Sequence, residues 1–121
     1  MATRSRIAVE LDNGTVKSVY CHWDGYPDGV GQDLLNRSFN STREVEDFID
    51  EGSRSTVDES YYEKYGESRG EELEEPNVHA SVDDYYSSDI EEYGYLFTKN
   101  NNWHVKSAYG SIDDLVENVI S

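Results

Sequence analysis

The residues most suited to chemistry lie together in one stretch, Tyr20-Cys21-His22-Trp23-Asp24-Gly25-Tyr26-Pro27-Asp28-Gly29-Val30-Gly31. It sets two tyrosines, a histidine, a tryptophan and an aspartate at a strand end that leads through glycines into a helix start. Aromatic faces stack a base or hold an apolar ring. Backbone N–H groups at a helix start receive an anion such as a pyrophosphate. Asp24 can accept from ribose hydroxyls, and Arg4 or Arg6 can supply positive charge to phosphates. This gives a candidate ligand site of Arg4, Arg6, Tyr20, His22, Trp23, Asp24 and Tyr26. The competing reading is a structural turn, with Trp23 filling the core and Asp28 capping the helix.

Other chemistries find little support. Cys21 and His22 are neighbours, and adjacent strand residues point to opposite faces, so they form no nucleophile–base pair. Cys21 reads as a small buried hydrophobe beside Val19. The sequence holds no phosphate-cradling glycine loop and no H-E-x-x-H. His22, His79 and His104 are far apart, and the Asp83-Asp84 and Glu91-Glu92 pairs lack calcium-loop spacing. The expectation is a binding protein, not an enzyme, with no cofactor and no metal.

Charge gives a second class of function. Of 121 residues with a net charge of −16, residues 1–43 balance five basic side chains against five acidic ones. Residues 44–92 hold eighteen acidic side chains against three basic. Phosphate neutralisation needs clustered Lys and Arg, so direct nucleic-acid binding is disfavoured, as is an anionic membrane. An acidic partner surface of Glu44, Glu46, Asp47, Asp50, Glu51, Glu71, Glu72, Glu74, Glu75, Asp83 and Asp84 can imitate phosphate spacing and attract a basic groove. Its bland alternative is solubility. Ten tyrosines, paired at Tyr61-Tyr62 and Tyr85-Tyr86, sit among these carboxylates and suit a recognition surface.

These residues need elements to position them. Arg6–Leu11 alternates as a strand, Asp12-Asn13-Gly14 is a hairpin turn, and Val16–Trp23 returns. A short helix is expected near Val30–Arg37. A second follows Ser41, whose spacing to Glu44 makes a capping box, and stops at Gly52. Residues 53–76 read as an acidic mobile loop, and Val78–Val82 as a strand. A second hairpin, Tyr93–Thr98 with Trp103–Tyr109, precedes an amphipathic helix carrying Ile112, Leu115, Val116, Val119 and Ile120. The expected fold is α+β: residues 1–121 as one domain, with an antiparallel sheet of four to five strands from two β-hairpins and about three helices on one face. The lean apolar content makes a homo-oligomer a reasonable expectation.

No apolar run approaches the roughly 20 residues that span a bilayer. The N-terminus enters a strand pattern with no signal-peptide core, and one cysteine fits a reducing cytoplasm.

Thr3–Ile7, Tyr20–Pro27, Val30-Gly31 and Leu34-Leu35 resemble the opening of a family of small phage-encoded proteins of uncharacterised role. Tyr93–Phe97 with Trp103 is similar to the family's ending, while residues 53–92 depart from it. The resemblance implies a viral accessory protein in the cytoplasm of an infected bacterial host, countering host defence. Two expectations follow: sequestration of a small nucleotide-derived signal, or an acidic decoy that inhibits a basic host protein.

Overall fold

The computed structural model describes residues 3–61, 70, 75–108, 110 and 112–115. The chain opens as expected. Strand β1, Ser5–Glu10, turns at Asp12-Asn13-Gly14 and returns as β2, Val16–Cys21, with Ile7 opposite Val19. Gly14 takes the positive φ of 88° that the turn requires, and Asn13 Oδ1 accepts from the Thr15 N–H and hydroxyl.

A π-helical turn, Pro27–Gly31, runs into α1, Gln32–Asn36, and α2 follows at Thr42–Ile49. The Ser41 hydroxyl accepts from the Glu44 N–H at 3.3 Å, and the Glu44 carboxylate accepts from the Asn40 N–H at 3.2 Å. The box therefore forms one residue wider than its usual reciprocal pattern. Gly52 ends the helix at φ 87°.

Beyond α2 the sequence reading needs correction. Residues 53–61, expected within a mobile loop, instead give β3, Arg54–Thr56, and β4, Glu59–Ser60, with Arg54, Ser55, Val57 and Ser60 buried. Residues 62–69 and 71–74 lie outside the described set. Strand β5 covers Asn77–His79 alone, because Ser81 caps a helix, α3, at Val82–Ser87. Strands β6, Tyr93–Phe97, and β7, Trp103–Ser107, form the second hairpin. The last described element is a strand, β8, Ile112–Asp114, where a helix was expected; Val116, Val119 and Ile120 lie outside the described residues.

The sheet is mixed and eight-stranded, in the order β4-β3-β2-β1-β6-β7-β8, with β5 on β2. The expected four to five antiparallel strands are thus too few. Two pairings, β1 with β6 and β2 with β3, are parallel. Parallel neighbours need long crossovers, and such connections leave no local signature. Strand β1 is the spine: Ile7, Ala8 and Val9 are each wholly buried, so both of its faces are covered.

The helices divide between those faces instead of sharing one. Ile7, Val9, Val19, Cys21, Tyr95, Phe97 and Val105 pack with Val30, Leu34, Val45, Phe48 and Ile49 from the α1 and α2 side. Ala8, Val16, Ile90 and Leu96 pack with Val82, Tyr85 and Tyr86 from the α3 side. Tyr85, read as part of a recognition surface, is core: it is wholly buried, and its hydroxyl donates to the Tyr95 carbonyl at 3.0 Å.

The neighbouring phenol differs, since the buried Tyr86 hydroxyl has no hydrogen-bond partner among the described residues. Tyr85→Phe is therefore expected to destabilise the fold by about 1 kcal/mol, and Tyr86→Phe to leave it unchanged or firmer. Denaturant midpoints of the two variants check this, and equal losses would contradict the assignment.

Candidate functional site

The turn after β2 decides which way its aromatic residues face. The His22 N–H donates to the Arg54 carbonyl at 3.0 Å and the Trp23 N–H to the Ser55 carbonyl at 2.9 Å, so β3 holds the strand end. The chain then reverses at Asp24, φ 58°. The Gly25 N–H donates to the Thr3 carbonyl at 2.8 Å, and the Tyr95 hydroxyl donates to the Gly25 carbonyl at 2.6 Å. A Cβ on Gly25 would stand 2.8 Å from the Thr3 carbonyl oxygen, and one on Gly29 would collide with the Asp24 carbonyl. Both glycines are there for close approach.

These contacts correct two expectations. The N–H groups of Gly29 and Val30 donate to the Tyr26 and Asp24 carbonyls, so they are already satisfied and do not await an anion. Tyr26, not Asp28, stands at the cap position, with no side-chain cap bond. Val30, 1% exposed, belongs to the core, whereas Trp23 does not fill it as the structural-turn reading held. The indole leaves the Val19–Cys21 face and is 46% exposed.

Beside it lies a cavity of about 430 Å³ lined by Tyr20, His22, Trp23, Ser53, Arg54, Ser55 and Tyr61. Pockets for small molecules run from about 300 to 1,000 Å³. Cys21 pairs with Arg54 across β2 and β3, so Ser53 and Ser55 share the face of Tyr20 and His22. The cavity sits where the edge of β2 is left between two short neighbours: β5 pairs with Val16–Ser18, and β3 begins at Cys21. The Tyr20 hydroxyl and His22 Nδ1 are 2.7 Å apart, and the His22 ring meets the Trp23 ring edge to face at 4.7 Å. Burial pushes the Tyr20 phenol up, with Glu91 and Glu92 adding and Arg4 opposing.

Three of the seven expected ligand residues, Tyr20, His22 and Trp23, therefore line one cavity. Arg4 does not line it; it is exposed, its charge acts on Tyr20, and its own N–H donates to the Glu92 carboxylate at 2.6 Å. Arg6 is directed elsewhere: Nε donates to Ser18 Oγ at 3.1 Å and Nη2 to the Ser18 carbonyl at 3.3 Å. Asp24 accepts from the Tyr26 hydroxyl at 3.2 Å, and Tyr26 lines a separate recess with Thr3, Glu92 and Tyr93.

Sequence reasoning missed Ser53, Arg54, Ser55 and Tyr61. Arg54 is only 3% exposed. Its Nε donates to the Val57 carbonyl at 3.0 Å, its Nη1 meets Glu51 at 3.1 Å, and its guanidinium lies 4.3 Å over the Phe48 ring. One of three basic residues in the acidic stretch 44–92 was the signal available.

The acidic set does not form one face. Glu46 and Asp50 on α2 hold Lys17 at 3.0 and 2.6 Å, and with Asp47 and Asp12 they line a shallow groove. Glu44 caps its helix and Glu51 pairs with Arg54. Asp83 and Asp84 open α3 on the other side of the sheet, and Glu75 is exposed. Glu71, Glu72 and Glu74 lie outside the described residues. Burial raises the Cys21 thiol to about 11, which keeps it protonated and unreactive near neutrality. Among the described residues no three His, Cys, Asp or Glu side chains gather as a metal site, and no helix is long and apolar enough to cross a membrane.

No protein-family model, curated protein or solved structure matches the chain.

The turn geometry separates two substitutions within one motif. Gly29→Ala should cost about 1–3 kcal/mol, the usual range for an enforced overlap. Trp23→Ala should cost about 1 kcal/mol or less, as for a side chain outside the core. Thermal unfolding of both proteins measures this, and a severe loss with Trp23→Ala would return the indole to a structural role.

Proposed function

We propose that this chain is a non-catalytic phage accessory protein that sequesters a small nucleotide-derived signal, a cyclic nucleotide or an ADP-ribose derivative, in the host cytoplasm. The observation that carries this reading is an exposed indole beside an open cavity. A free-standing Trp loses apolar burial; a Trp that stacks a base recovers roughly 1–3 kcal/mol. Tyr20, Ser53, Ser55 and Tyr61 bring hydroxyl-bearing side chains to the wall, the polar complement that a base edge or ribose requires. Arg4 offers charge to a phosphate outside the cavity. The net charge of −16 disfavours long polyanions, because their repulsion sums along the chain, and leaves a compact ligand with one or two phosphates as the better fit.

Sequestration is the better mechanism than turnover on the same evidence. The one thiol is buried with a raised pKa and faces away from His22 across the strand. Binding needs shape and stacking alone.

Calorimetry of the wild-type protein against cyclic mono- and dinucleotides and ADP-ribose isomers tests the reading. One of these should bind with unit stoichiometry per site and emerge chemically unchanged. Trp23→Ala should weaken it roughly ten- to a hundredfold, the equivalent of one lost stack. Absence of heat with every ligand, from folded protein, would refute the proposal.

A further inference from the structure

On the α3 side of the sheet, His79 at the end of β5 sits over β2, with Nε2 2.8 Å from Ser18 Oγ. The same hydroxyl accepts from Arg6 Nε at 3.1 Å. A guanidinium only donates, so Ser18 must accept on that side. A serine oxygen can accept twice, but Ser18 is wholly buried and, among the described residues, His79 Nε2 alone can accept its proton, so that proton is directed to Nε2. This direction requires a neutral imidazole that carries its proton on Nδ1.

Strand β5 has little else to hold it. It is three residues long, among the described residues it pairs with β2 alone, and Val78 at its centre is 69% exposed. Sheet pairing of that length at an edge is weak. We propose that His79 is an acid-released latch, which holds β5 on β2 through Ser18 when neutral and frees it when protonated.

A proton on Nε2 turns the histidine into a second donor facing Ser18. Among the described residues the serine proton then has no acceptor, and an imidazolium stands beside the Arg6 guanidinium. The groups facing the ring are Arg6 from β1, Ser18 from β2, and Asp84 and Tyr85 from α3, where the Tyr85 ring packs 5.2 Å away. Burial, followed by Arg6, lowers the imidazole below its ordinary 6.5, and Asp84 opposes the shift. A lowered folded value means that the unfolded or undocked chain binds the extra proton more readily. The latch is complete above 6.5 and weakens as pH falls from there toward the folded value. Release would free the Val16–Ser18 edge, two residues from Tyr20 in the cavity wall.

Hydrogen exchange read by NMR tests this on the full chain. Relative to the β1 amides, protection at Asn77–His79 should fall from about pH 7.5 to about pH 5. His79→Gln keeps an acceptor for Ser18 without the titration, so its protection should not vary with pH over that range. The same pH dependence in His79→Gln, or none in the wild type, would overturn the latch. The imidazole nitrogen shifts of the wild type give a second test that needs no variant. A proton on Nδ1 at neutral pH supports the proposal, and one on Nε2 overturns it.

Discussion

Most of what distinguishes this molecule depends on the way the chain leaves β2. The Tyr95 hydroxyl reaches 2.6 Å to the Gly25 carbonyl, from a strand seventy residues away, and Thr3 and Asp24 close the same turn through their carbonyls. These hydrogen bonds all act to hold the turn in the one geometry described. Burial drives the Tyr95 phenol strongly upward, so this donor stays protonated at any physiological pH. The turn delivers Val30 to the core and leaves Trp23 outside it. An indole with that placement offers an apolar ring face to whatever enters the adjacent cavity, which is the physical basis for reading that cavity as a ligand site.

The sheet explains why the cavity is there at all. Two short strands, β3 and β5, share one edge of β2 without meeting, and the interval at Val19–Tyr20 opens the wall. Longer strands would close it. The acidic character of the middle of the chain is a separate matter. Several of its carboxylates have structural partners, with Glu46 and Asp50 on Lys17, Glu51 on Arg54 and Glu44 at a helix start. The pairs at the surface are worth little individually. They do show that the charge is spread around the fold, which favours the cavity over a single decoy surface.

The first fifty residues were the legible part of the sequence. An Asn-Gly turn, a two-residue alternation and a capping box are local signals, and each specifies its element within a few residues. The failures have local causes too. Ser81 with Asp84 carried the spacing of a capped helix, and Val82, Tyr85 and Tyr86 carried its stripe, but Val78, Ala80 and Val82 imitate a strand. Ile112-Asp113-Asp114 suits a helix start in isolation; pairing with β7 overrides it. The β1–β6 pairing joins residues nearly ninety positions apart and has no local trace. Within the site motif, aromatic composition pointed to Tyr20, His22 and Trp23, whereas the glycines read as anion-binding proved to be steric requirements of the turn. Ser53 and Ser55 reach the cavity through the tertiary pairing of β3, so composition did not reveal them, and Tyr61 stood out only as one of many tyrosines.

The two tryptophans allow the central claim to be tested within one molecule, since Trp23 is exposed beside the cavity and Trp103 is 7% exposed in the core. Their indole N–H signals should separate in a proton–nitrogen correlation spectrum. Titration with a cyclic nucleotide or an ADP-ribose derivative should move the Trp23 signal in a saturable way and leave Trp103 in place. A Trp23 signal that stays fixed against every such ligand, or a ligand that shifts Trp103 instead, would contradict the account.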